Sequence, residues 1–219
     1  MSQRIYIINP NSSTLVTAGI EAALAPLRLA DGPELCCVTL ADGPAGIQTQ
    51  SDVDHAALSV QRFALAHRHE AAAFVVACFS DPGLQLLREI PDVLSFGISE
   101  CGVLTALTLG QSFGVIAILN SSIPRHGRTW GAMGVTSRFA GELAIGRCVS
   151  DLSNEAATLD AMVQAGRRLR DDKGAQVLVM GCAGMASQRT ALQEAVGLLV
   201  VEPTQAAVAM AIGRVRLGW

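Results

Sequence analysis

Eight short runs rich in Val, Ile and Leu constrain the fold of this chain more than any other feature. They lie near residues 3–9, 34–40, 72–78, 94–98, 113–119, 143–148, 176–182 and 197–201, and stretches with apolar residues at helical spacing separate them. Brief continuous apolar runs alternating with helical segments predict parallel strands covered by helices. The eight fall into two sets of four. Asn11-Ser12-Ser13 follows the first run and Asn120-Ser121-Ser122 the fifth, an offset of 109, while Cys78 and Cys182 end the third and seventh runs at an offset of 104. After the fourth and eighth runs come two small-residue helices, starting near 99 and 202 and ended by Gly110 and Gly213. Landmarks repeated in one order predict an α/β fold of two pseudo-symmetric lobes, each a four-stranded parallel sheet flanked by helices. The expected N-terminal lobe spans 1–97 plus 205–219 and the C-terminal lobe 98–204, with a hinge near 97–112. Ligands of such sheets bind beyond the carboxyl ends of strands, so the active site is expected in the cleft between the lobes.

Further helices are predicted over 14–29, capped from the Asn11-Ser12-Ser13 turn, and over 52–69 and 153–171, which occupy matching places in the two lobes. With 219 residues, half of them hydrophobic, the chain can fill a sizeable core. Only 16% of residues are charged and the net charge is −3, which gives no electrostatic footprint for nucleic acid or an anionic membrane. Mean hydropathy is positive, yet no uninterrupted apolar run approaches the roughly 20 residues a membrane span needs. Met1-Ser2-Gln3-Arg4, followed at once by Ile5-Tyr6-Ile7-Ile8-Asn9-Pro10, lacks the pattern of a secretory leader, so a cytoplasmic protein is expected. Six cysteines without a Cys-x-x-Cys pair read as free thiols, neither a disulfide framework nor a metal site. Small-residue helices such as 204–213 can pack against another subunit or their own sheet; a homo-oligomer is the expectation.

The chemistry concentrates on the two cysteines. A thiol at the carboxyl end of a parallel strand, just before a helix, meets free backbone N–H groups and the positive end of a helix dipole, which favour its thiolate. One such cysteine is commonly a core residue; a symmetric pair is what two-base proton transfer at a carbon acid requires. Backbone amides after Cys78 and Cys182, with the hydroxyl of Ser80, can then stabilise an enolate oxygen. The Asn9-Pro10-Asn11-Ser12-Ser13 turn offers amides and hydroxyls to a ligand, as do Asn120 and Ser121, although such residues are also ordinary turn formers and caps. The loop 43–49 can close over the site or be a plain surface turn. Asp81, in the Cys78 turn, can cap the helix that follows it or orient a donor, and the cap is the expectation. Arg125, His126 and Arg128 lie just past the fifth run, where a guanidinium can hold an anionic substrate, but they are read as a solvated face; His55, His67 and His69 are read as surface or packing residues, and Cys36, Cys37, Cys101 and Cys148 as structural thiols inside strands or helices.

Three motifs together resemble one family: Ile8-Asn9-Pro10-Asn11-Ser12-Ser13, Ala77-Cys78-Phe79-Ser80-Asp81-Pro82-Gly83 and Gly181-Cys182-Ala183-Gly184-Met185. The chain resembles the aspartate/glutamate/hydantoin racemase superfamily over essentially its whole length, and within it the hydantoin and allantoin racemases. The resemblance implies a cofactor-independent racemase in which Cys78 and Cys182 are the acid/base pair. It also implies that the Asn9–Ser13 turn and backbone groups around Phe79, Ser80, Ala183 and Gly184 hold a small-molecule substrate, a hydantoin or ureide. Amino-acid racemases of the superfamily usually carry Asn-Thr after the first cysteine and Thr-Glu or Thr-His after the second, so Phe79-Ser80 and Ala183-Gly184 count against free aspartate or glutamate. Decarboxylase relatives generally keep only the later cysteine. Gly46-Ile47-Gln48-Thr49 departs from the Ser-Ile-Glu common in hydantoin-type relatives. The competing readings are an amino-acid racemase, a maleate isomerase-like enzyme, or a two-lobed binding protein whose cysteines are merely packed.

Overall fold

The computed structural model describes residues 4–219. Residues 1–3, which include the expected start of the first strand and the start of the segment read for a leader, lie outside the described residues. Eight strands form: β1 (Arg4–Asn9), β2 (Glu34–Thr39), β3 (Ala71–Val76), β4 (Leu94–Gly97), β5 (Phe113–Ala117), β6 (Phe139–Ala144), β7 (Val177–Met180) and β8 (Leu199–Val201). They assemble into two separate parallel sheets with the same order, β2-β1-β3-β4 and β6-β5-β7-β8. The helices are α1 (Thr14–Ala23), α2 (Gln50–His67), α3 (Leu84–Arg88), α4 (Ile98–Leu109), α5 (Ile123–Met133), α6 (Glu155–Asp171), α7 (Arg189–Val196) and α8 (Pro203–Leu217).

Central strands carry unbroken apolar sequence because both their faces are covered. All five residues of β5 and all four of β7 are buried. One core cluster joins Tyr6, Ile8, Phe74 and Val76 to Val60 and Ala64 of α2; another joins Ile116, Leu178 and Met180 to Met162 and Leu169 of α6. Each fully buried Ile, Phe or Leu contributes about 2 kcal/mol of transfer free energy. The chain divides into two compact units, Met1–Cys101 with Thr204–Trp219, and Gly102–Pro203. The division falls inside α4 and in the first turn of α8, so helices rather than loops carry the chain between units. Small residues of α8, Ala206, Ala207 and Ala211, are buried within the chain. Among the described residues, no helix is long and apolar enough to cross a membrane.

Four expectations need correction. Gly213 does not end the last small-residue helix, because α8 continues to Leu217. The sixth strand lies at 139–144, not 143–148: its register pairs Val115 with Glu142, and a polar residue at an edge strand hid the run, while Gly146 at φ +69 breaks the chain before Cys148. Cys148 therefore lies in no strand; it precedes a 3₁₀ turn (Val149–Ser153), and its Sγ donates to Asp151 Oδ2 at 2.8 Å. The helix expected over 14–29 stops at Leu24, where Pro26, lacking an N–H, forces a 3₁₀ turn (Ala25–Leu27).

Candidate active site

In the first unit the carboxyl ends of β1 and β3 are neighbours, which sets the Asn9–Ser13 turn beside the Cys78 turn. The Asn9 side chain is buried and its Nδ2 donates to Asn11 Oδ1, the Ser13 carbonyl and Thr17 Oγ1, each at 3.0 Å. Asn11 Oδ1 also accepts from the Ser13 amide at 2.9 Å, and Ser13 Oγ accepts from the Val16 amide to cap α1. Asn9, Asn11 and Ser13 thus fasten the turn to itself. Ser12 donates its amide to the Pro44 carbonyl at 2.9 Å, tying the turn to the loop after β2. That loop ends in a capping box between Thr49 and Asp52 that starts α2, with Ile47 buried beneath it.

Cys78 lies two residues beyond β3, half-buried, between buried Ala77 and buried Phe79, with Ser80 half-exposed. The Asp81 amide donates to the Cys78 carbonyl at 2.9 Å and closes the turn. Asp81 caps a helix, but not the one that follows it: Oδ1 accepts from the Ser99 amide and Oδ2 from the Glu100 amide, both at 2.9 Å, at the start of α4. Sequence order pointed to α3, which begins after Gly83; the sheet places β4 beside β3 and so brings α4 to the same turn. A Cβ at Gly97 would overlap the Asp81 carboxylate. Burial pushes Asp81 up to about 7; the two amide bonds oppose this, Glu100 adds to it, and Arg88 opposes it.

The second unit repeats the arrangement. The Ala77 amide donates to the Ile8 carbonyl and the Gly181 amide to the Ile116 carbonyl, both at 2.8 Å, so Ile8 matches Ile116 and Cys78 matches Cys182. A Cβ at Gly181 would stand 2.6 Å from that Ile116 carbonyl oxygen, which explains the glycine before Cys182. Ala183 is buried and Gly184 half-buried; they open a 3₁₀ helix (Ala183–Gln188). Burial pushes the Cys182 thiol up to about 11; the Gly184 amide, bonded to it, opposes the shift and Glu202 adds to it. At Cys182 the thiolate expected from strand-end amides is therefore outweighed by desolvation. Asn120 and Ser121 are exposed, in a 3₁₀ turn (Asn120–Ser122) at the end of β5, the strand beside β7.

The solvated face expected of Arg125, His126 and Arg128 is corrected at its middle residue. His126 is 3% exposed, and its Nδ1 lies 2.6 Å from Glu142 Oε1, whose side chain is 1% exposed. His67 packs on the Phe63 ring, at a centroid distance of 4.1 Å, and His69 lies past the end of α2. Glu142 and the position of Glu202 beside Cys182 escaped the sequence reading; an acidic residue at the tip of an apolar run was the available signal for Glu202.

A family model described as Asp/Glu/Hydantoin racemase matches residues 5–211. The hydantoin racemase of Paenarthrobacter aurescens is 30% identical over 219 residues, covering 99% of this chain and 92% of that protein. The hydantoin racemase of Rhizobium meliloti is 32% identical over 213 residues, covering 94% and 86%. The solved allantoin racemase of Klebsiella pneumoniae superposes with a TM-score of 0.92 at 30% identity, covering 99% of this chain and 89% of that one. With like-ordered sheets and a cysteine at the same strand end of each, the chain belongs to the Asp/Glu/hydantoin racemase family.

Proposed function

We propose that this protein is an isomerase that racemises hydantoin-type rings, five-substituted hydantoins or the ureide allantoin, through an enolate formed between Cys78 and Cys182. The observation that carries the reading is their equivalence: each thiol stands two residues past the third strand of its sheet, after a residue whose amide donates to the carbonyl of a matching first-strand isoleucine. The sequence likeness to hydantoin and allantoin racemases supports the substrate class.

The chemistry needs no redox change. One thiolate takes the proton on C5, the bond's electron pair moves into the ring as an enolate, and the other thiol returns a proton to the opposite face. The thiol and thiolate states of the pair have then exchanged, and the pair titrates with macroscopic pKa values. Burial favours the protonated form of Cys182, whose thiol is pushed up to about 11. Once deprotonated it is a strong base, as the reverse direction needs. Backbone amides near Phe79, Ser80, Ala183 and Gly184 are the donors proposed for the enolate oxygen. The turns 9–13, 78–83, 120–122 and 182–186 contain no Lys or Arg, which suits a neutral ring over a dicarboxylate.

The test is incubation with one enantiomer of a substituted hydantoin, or of allantoin, in D₂O, following optical rotation and the C5–H signal. Wild type should lose rotation and exchange that proton, and Cys78→Ser and Cys182→Ser should abolish racemisation. Inactivity of wild type across the panel rejects the substrate class; full activity of either variant rejects the two-thiol mechanism.

A further inference from the structure

The two cysteine turns match in backbone but are held by different means. The bond from Asp81 N to Cys78 O has its counterpart in Met185 N to Cys182 O, at 3.3 Å, so Met185 occupies the place of Asp81. Met185 is 1% exposed and belongs to the apolar core of its unit. The strand registers extend the match. Val76 pairs with Gly97, and the β7–β8 pairing, continued by one residue, sets Met180 opposite Glu202. Each turn therefore has one carboxylate beside it, supplied from swapped positions: Asp81 across an empty Gly97 in one unit, Glu202 across an apolar Met185 in the other.

We propose that Asp81 is a positioning residue for Cys78, its carboxylate fixing the Cys78–Asp81 turn by gripping the amides of Ser99 and Glu100. The proposal rests on the reading of Cys78 as one of the acid/base pair. Asp81 has φ +44, a left-handed conformation that is strained for a non-glycine residue and persists only where surroundings impose it. Both carboxylate oxygens are used, and the Asp81 carbonyl accepts the Leu84 amide at 3.2 Å, so one residue anchors the Cys78 turn, the start of α3 and the start of α4. A shorter or uncharged side chain cannot bridge both amides as an anion does. The charged and titratable groups facing the carboxylate are Glu100 and Cys101 of α4 and Arg88 of α3, and Arg88 is engaged by Glu100 at 2.5 Å. With Asp81 raised to about 7, protonation near neutrality turns one of its two accepting oxygens into a hydroxyl, a weaker acceptor for its amide.

The deciding readout is thiol reactivity, which does not depend on racemase activity. Cys78 and Cys182 are alkylated with iodoacetamide at pH 9 in the intact protein and quantified separately by peptide mass spectrometry, in wild type and Asp81→Asn, with far-UV circular dichroism to verify folding. The expected result is a change of roughly threefold or more at Cys78 with Cys182 unaltered, and a fall of about tenfold in kcat with little change in KM. If Asp81→Asn does not fold, Asp81→Ser, which keeps one acceptor, is read in the same way. Unchanged alkylation of both cysteines, or an equal change at both, overturns the proposal by reducing Asp81 to a helix cap. Retention of racemisation by Cys78→Ser overturns instead the acid/base assignment, while alkylation still reports whether Asp81 sets the Cys78 thiol.

Discussion

Cys182 shows two local effects in opposition at one atom. The Gly184 amide favours a thiolate, desolvation favours the thiol, and desolvation wins. At pH 8 a thiol moved from 9.0 to about 11 carries roughly a hundredfold less thiolate. Cys182 should accordingly react with iodoacetamide at pH 8 far more slowly than glutathione, and its rate should rise about tenfold per pH unit toward pH 11. Site-resolved mass spectrometry measures this; a rate at pH 8 equal to that of glutathione contradicts it. Cys101, also pushed up to about 12 by burial first and by Asp81 and Glu100 after it, is buried inside α4 and is no rival nucleophile.

At the scale of elements, polar pairs attach helices to sheet edges where apolar packing alone leaves orientation loose. His126 of α5 and Glu142 of β6 form such a pair, both side chains almost fully buried. Glu142→Ala removes the acceptor of His126 Nδ1 and should destabilise the protein by about 1–3 kcal/mol, whereas Glu142→Gln, which keeps an oxygen there, should cost less. Urea unfolding compares them, and equal stabilities for wild type and Glu142→Ala would remove the pair from the account of how α5 is held. This edge is hard to read in sequence because Glu142 interrupts the apolar run that would mark β6, and the run just after it has the apolar pattern of a strand.

For the whole molecule, the common sheet order makes the first and third strand of each sheet central and the second and fourth peripheral. Every residue of β6 is only half-buried and β2 is nearly as open, while β5 is buried throughout. Hydrogen exchange should therefore be slowest in peptides covering 71–76, 113–117 and 177–180, and earlier in those covering 34–39 and 139–144. Uniform protection across all eight strands, measured by mass spectrometry, would contradict a hierarchy set by strand order.

The sequence by itself determined the alternation of strands and helices, the twofold repeat and the paired cysteines, because apolar runs and strand-end turns are local patterns repeated at a nearly constant offset. It was enough to place Cys78 and Cys182 at matching ends and to point to the family. It did not show that Asn9, Asn11 and Ser13 bond mainly with one another, that Asp81 caps α4 rather than α3, or that His126 is buried on Glu142. Those partners are separated by two to nineteen residues and meet only through a turn or the lateral order of strands. Only the tertiary structure decided them, because desolvation and hydrogen bonding depend on which neighbours the folded sheets bring together.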